Sequence, residues 1–205
     1  LNALIASQST ETQTFTGDET IGTPEYDALS LMGPDAARAK EVVTLRGLLS
    51  QADIAAIKQL ASQSATKALP NLKTGTSEWC TRYLQADGCF KKELPELLEK
   101  LLAAVRRADD AHWKLLHNRK KVSIRCIEYH EVGPNGALKD PRHYDHGSLL
   151  TLDLMLSADD EFEGGEFQAE GSDGTFTQQS FGCGDGILFV AHKRHMVYRR
   201  GAPLA

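Results

Sequence analysis

The chain has 205 residues, of which 41% are hydrophobic and 25% charged, the proportions of a soluble globular protein long enough to bury a core. Its formal net charge is −5 and its Lys and Arg residues form no long basic stripe, which argues against nucleic acid or an acidic membrane surface as a partner. No stretch approaches the roughly 18–20 uninterrupted apolar residues of a membrane-spanning helix, so no membrane span is expected.

The first residue is Leu1 rather than Met, which reads as a fragment or a processed form and leaves the compartment open. Cys80, Cys89, Cys126 and Cys183 make no CxxC pair, against a zinc knuckle or a thioredoxin-type site. Cys80 and Cys89 admit either a secretory disulfide or buried free thiols. Residues 1–38 are rich in Ser, Thr, Gly and acidic residues without a sustained period, and read as a mobile lead-in to one domain over 39–205. Within it, Val42–Leu45 reads as a short strand. Ser50, with Asp53 three positions on, opens a helix to about Ser64 whose Ile54, Ile57, Leu60 and Ala61 share a face. Glu78–Leu84 alternates as a strand. Pro95 then starts a longer helix, with an apolar stripe from Leu94 to Leu116 that is packing surface for a sheet.

From about residue 122 the texture changes to short strands cut by Gly, Asp and Asn. They are expected over Val122–His130, Ser148–Leu156, Gly165–Ala169, Gly174–Thr177, Gly186–Ala191 and His195–Arg199. Turns are expected at Pro134-Asn135-Gly136, Gly164-Gly165, Ser172-Asp173-Gly174 and Gly184-Asp185-Gly186. This is the pattern of a mainly β (α+β) fold, a barrel or jelly roll buttressed by N-terminal helices.

The segment Pro141-Arg142-His143-Tyr144-Asp145-His146-Gly147-Ser148 concentrates metal-binding side chains at the mouth of the strand SLLTLDLML. His143 and Asp145 stand two apart, so in an extended chain both leave the same face, and His146 leaves the other. Late in the chain, His192-Lys193-Arg194-His195 follows the apolar strand GILFVA, and either histidine of that run can complete a three-donor set. Two imidazoles and one carboxylate on one side of a divalent ion leave three positions open, the arrangement of non-haem Fe(II) oxygenases. A structural zinc site would fill four positions and favour cysteine.

The chain resembles the prolyl 4-hydroxylase-like branch of the Fe(II)/2-oxoglutarate dioxygenases. The likeness rests on Ile127-Glu128-Tyr129, His143-Tyr144-Asp145 with the following SLLTLDLML, Phe162-Glu163-Gly164-Gly165-Glu166-Phe167, and Gly184-Asp185-Gly186-Ile187-Leu188-Phe189 leading to His195-Met196-Val197. It spans roughly residues 42–200. The resemblance implies a double-stranded β-helix. It also implies Fe(II) held by His143, Asp145 and His195, with His192 competing for the third place, and Tyr129 reaching the 2-oxoglutarate. Hydroxylation of a substrate C–H, prolyl or other, would be coupled to 2-oxoglutarate decarboxylation with O2, and L-ascorbate dependence is implied by the family alone. The substrate, a peptide or a small molecule, is not readable.

The pattern departs from the family at its end. The family anchors the far carboxylate of 2-oxoglutarate with a basic residue about ten positions beyond the distal histidine, which here is Ala205. The last strand is therefore expected to be lacking, with an exposed edge, and Arg199 is the candidate substitute because it shares the face of His195 by alternation. A degenerate, non-catalytic metal-binding β-barrel module that has lost cosubstrate binding is the rival reading, and a cupin-like enzyme without a keto acid is a third.

Overall fold

The computed structural model describes residues 2–7, 41–63, 68–70, 79–117, 122–133, 143–145, 147–171 and 173–198. In chain order the elements are β1 (Asn2–Ser7), β2 (Val42–Leu45), α1 (Gln51–Ser62), β3 (Ala68–Pro70), β4 (Trp79–Tyr83), α2 (Cys89–Glu93), α3 (Pro95–His112), β5 (Val122–Val132), β6 (Leu150–Leu154), β7 (Glu166–Glu170), β8 (Phe176–Gln179), β9 (Gly186–Val190) and β10 (His195–Tyr198). Strands predominate, with a few helices.

The helices start where the sequence signals them. The Ser50 hydroxyl accepts the Asp53 N–H at 3.2 Å while the Asp53 carboxylate accepts the Ser50 N–H at 2.8 Å, a reciprocal cap that satisfies two otherwise orphaned donors. Pro95 sits in the first turn of α3. The apolar stripe read through Leu116 outruns the helix, which ends at His112, and Asp109 explains how. Its buried carboxylate accepts the N–H groups of Leu115 at 2.9 Å and Leu116 at 2.7 Å. This side-chain closure bends the chain back so that Trp113, Leu115 and Leu116 enter the core beside the helix.

Seven strands form one sheet in the order β2-β9-β6-β1-β5-β4-β3, and three form a second, β10-β7-β8. Every pairing is antiparallel. Alternation separates two interiors. Leu150, Leu152 and Leu154 of β6, Leu188 and Val190 of β9, and Ile127 of β5 join the helices in the main core. Ile187 and Phe189 of β9 leave the other face and meet Phe167 and Ala169 of β7 in the second sheet. Among the described residues the two sheets face each other without closing into a barrel.

One expectation changes. Asn2–Ser7 falls in the stretch read as a lead-in, yet it forms β1, hydrogen-bonded to β5 on one side and β6 on the other. Six residues are too few to show a period, and the strand is specified by the open backbone groups of its two neighbours. The expectation of a lacking last strand and an exposed edge concerns the chain beyond Tyr198, outside the described residues. The remainder of the lead-in, the turn at Pro134-Asn135-Gly136 and residue Ser172 lie outside the described residues. The strand β3 carries no signal in the sequence, and all four cysteines are free thiols.

Asp185, read as a turn residue, also ties β2 in place. Its carboxylate accepts the N–H groups of Gly47 at 2.8 Å and Gly182 at 3.1 Å and pairs with Arg46 at 2.6 Å.

Candidate metal centre

Backbone bonds hold His143–Asp145 against the β9–β10 connection: the Asp145 N–H donates to Ala191 O at 2.9 Å and the His195 N–H to His143 O at 3.1 Å. This register sets the side chains of positions 143 and 145 beside that of His195 at the start of β10. The His143 Nε2 lies 3.4 Å from Asp145 Oδ1, the His195 Nε2 lies 3.9 Å from Asp145 Oδ2, and one donor from each residue falls within 4.8 Å of the other two. Donors about 2.1 Å from a six-coordinate ion, at right angles, stand about 3 Å apart, so a small contraction of this group seats a divalent first-row metal. The donor set fits.

The surroundings prepare these atoms for ligation. Burial pushes His195 toward its neutral form, against the opposing pull of the Asp145 carboxylate. Its Nδ1 lies 3.0 Å from the Lys193 carbonyl, an acceptor only, so the proton resides on Nδ1 and the Nε2 lone pair faces Asp145. Burial alone would raise the Asp145 carboxyl, but the contact with His143, the charge of His195 and the hydroxyl of Thr151 together hold it below its ordinary range. Thr151 is fully buried and donates to Asp145 Oδ2 at 2.7 Å. The His195 ring is clamped between Phe167, stacked at 5.5 Å, and Phe189, tilted at 5.0 Å.

A second polar row runs along β5. Cys126 Sγ donates to Glu128 Oε1 at 3.5 Å, Glu128 Oε2 lies 3.4 Å from His130 Nε2, and His130 Nδ1 lies 3.0 Å from the Thr81 hydroxyl. Burial, with the nearby Asp145 charge, raises the Glu128 carboxyl. Burial drives His130 down to about 3, so it is a neutral imidazole. On β6, two residues beyond Thr151, Asp153 is raised to about 8 by burial and by the charges of Asp145 and Glu128. Three carboxylates therefore share one electrostatic neighbourhood. Glu128, His130 and Asp153 were not nominated as site residues from the sequence; for Asp153 the signal was the polar residue at every second position of β6, and β5 shows no such regular alternation.

Of the residues nominated from the sequence, the structure brings His143, Asp145 and His195 together. It does not bring Tyr129 to them: Tyr129 packs against the helix-side core, on the face of β5 that carries Ile127, and its ionisation is governed by burial, Glu131 and Arg82. The competing His192 stacks on Tyr144 with ring centroids 5.7 Å apart and is not in the three-donor group. Arg199 and His146 lie outside the described residues.

No family model matches the chain, and no curated protein matches it by sequence. Among solved structures, its fold is similar to that of a Pseudomonas putida prolyl-4-hydroxylase, with a TM-score of 0.51 at 17% identity over 86% of this chain and 90% of that one. It is also similar to an oxidoreductase of the 2OG-Fe(II) oxygenase family from Burkholderia pseudomallei, with a TM-score of 0.50 at 16% identity over 80% of this chain and 83% of that one. At this identity the likeness is one of fold.

Proposed function

We propose that this chain, with a fold like that of the 2-oxoglutarate- and Fe(II)-dependent oxygenases, is itself a non-haem iron dioxygenase that couples 2-oxoglutarate decarboxylation to hydroxylation of a substrate C–H. The observation that carries the reading is the His143–Asp145–His195 group, three donors with the right chemistry at the right spacing on a similar fold. Its two sheets are taken as the halves of a double-stranded β-helix, with L-ascorbate as the expected reductant. When bound, Fe(II) supplies coordination of a keto acid and activation of O2 at positions the protein leaves open. The chain's own residues do the rest. His143 and His195 present imidazole nitrogens and Asp145 a carboxylate, neutralising one of the metal's two charges. Thr151 fixes which carboxylate oxygen points inward, and the Lys193 carbonyl fixes the His195 tautomer. Phe167 and Phe189 exclude water behind the distal ligand and limit its rotation. Arg199 is the nominee for the far carboxylate of 2-oxoglutarate.

The test is succinate and CO2 release from 2-oxoglutarate with Fe(II), against a His143→Ala control. Metal-dependent turnover lost in the variant supports the reading. Tight iron binding without turnover returns the protein to the rival class, a metal-binding module with no cosubstrate chemistry.

A further inference from the structure

The strand β5 carries an irregularity on the side of the metal centre. In its pairing with β1, Leu4 faces Cys126 and Ile5 faces Ile124, so Arg125 is an extra residue with no partner of its own. Ile124 and Ile127 both pack into the helix-side core, which leaves Arg125 and Cys126 together on the opposite face. Bulges of this kind re-aim side chains, often beside a site. From there the Arg125 side chain reaches the segment that carries two of the donors. Gly147 stands two residues after Asp145, with φ +75°, and a Cβ on it would lie 3.2 Å from Arg125 Nε and 3.8 Å from Cζ. Two residues of chain span at most roughly 7 Å, so this contact holds the guanidinium within roughly 12 Å of the Asp145 Cα. The side chain is exposed, and among the described residues it makes no ion pair and no hydrogen bond. Glu128, whose charge it offsets in part, takes the Cys126 thiol on one oxygen and sets the other against His130. The guanidinium fork of Arg125 is therefore open at the rim of the three-donor group.

Building on the metal-centre reading, we infer that Arg125 is a substrate-binding residue and that the substrate carries a carboxylate, held by the guanidinium while a C–H of the same molecule faces the metal. The planar fork takes both carboxylate oxygens in parallel bonds, which fixes the direction of the substrate as well as its position. A place at the exposed rim, on a strand that bears none of the three donors, suits a molecule lying across the mouth of the site better than one chelating the metal. Gly147 has a part in this arrangement, since a side chain there would press on the arginine.

The test is calorimetric titration of the full chain loaded with Co(II), with N-acetyl-L-proline, N-acetyl-L-leucine and N-acetyl-L-lysine as probes, each as the free acid and as the amide. At least one acid is expected to bind about tenfold more tightly than its amide, the worth of a hydrogen bond between charged groups. Arg125→Gln should abolish that preference and Arg125→Lys keep part of it, while 2-oxoglutarate binds both variants as it binds the parent. Three results overturn this inference alone. In the first, no acid binds better than its amide. In the second, the preference survives in Arg125→Gln, which puts the carboxylate on the cobalt. In the third, Arg125→Gln weakens 2-oxoglutarate and spares the probes, which assigns the arginine to the cosubstrate. Arg125 is exposed, so the substitution leaves the core intact, and a variant that no longer holds Co(II) makes Arg125 part of the frame and counts against the inference as well. Failure of the parent to bind Co(II) overturns the metal-centre reading and this inference with it.

Discussion

Thr151→Val removes one hydroxyl and keeps the side-chain shape. Thr151 is fully buried, and its Oγ1 donates to Asp145 Oδ2 at 2.7 Å, a short bond to an ionised acceptor. Hydrogen bonds to charged groups are worth about 1.5–3 kcal/mol, and a buried carboxylate that loses one suffers the desolvation it had offset. In the metal-free protein Asp145 keeps its contact with His143 at 3.4 Å, so the expected stability loss lies near the low end, about 1.5 kcal/mol. Metal affinity should fall more visibly, by about 10–100-fold, because the freed carboxylate no longer presents one oxygen in a fixed direction. Urea denaturation measures the first effect and anaerobic Fe(II) or Co(II) titration the second. Thr151→Ser should restore most of both. A valine variant that loses stability while binding metal within twofold of the parent would refute the argument, since Thr151 would then be a packing residue with no hold on the ligand.

Two further substitutions probe the frame and its charge. Gly184 has φ +84°, and a Cβ there would meet the Leu49 carbonyl oxygen at 2.7 Å, whereas Gly47 has φ +58° with nothing within 4 Å. Gly184→Ala should therefore cost clearly more than the roughly 1 kcal/mol of left-handed strain expected for Gly47→Ala, and thermal melts of equal costs would count against the packing described. Asp153 is raised to about 8, so between the ordinary carboxyl value and pH 8 the folded chain binds a proton that the unfolded chain has released. Its contribution is complete below pH 4 and is lost as pH rises toward 8. Asp153→Asn should flatten this fall in the metal-free protein, and a parent and variant with parallel stability curves from pH 5 to 8 would contradict it.

Much of the fold was legible because the signals are local. Ser50 with Asp53, Pro95 and the alternation in LLTLDLML each act within a few residues, so α1 and β6 stand within about two residues of their expected ends and α3 begins where Pro95 marks it. The pair His143 and Asp145 was legible for the same reason, since spacing by two in an extended chain settles a shared face. Tyr129 was not, and β5 shows why. Its pairing with β1 skips Arg125, Leu4 facing Cys126 and Ile5 facing Ile124, so the helix-side face passes from Val122 and Ile124 to Ile127 and Tyr129. After that bulge the site-side residues are Glu128 and His130. A one-residue change of phase of this kind has no mark in the amino acids.

The choice between His192 and His195 is another matter of phase. The connection after β9 turns through Ala191–Arg194, and only the backbone bond from His195 to His143 decides which imidazole meets Asp145. The sequence by itself determined which residue types are present for metal chemistry, where the capped helices and the alternating strand β6 lie, and that His143 and Asp145 are spaced to share a face. Tertiary structure alone decided that β1 lies between β5 and β6, that His195 rather than His192 joins His143 and Asp145 in one group, and that Glu128 and Asp153 lie within electrostatic reach of Asp145. Those outcomes depend on strand register across distant segments, which is set by hydrogen bonding and packing between strands and is not encoded in the local preference of any one of them.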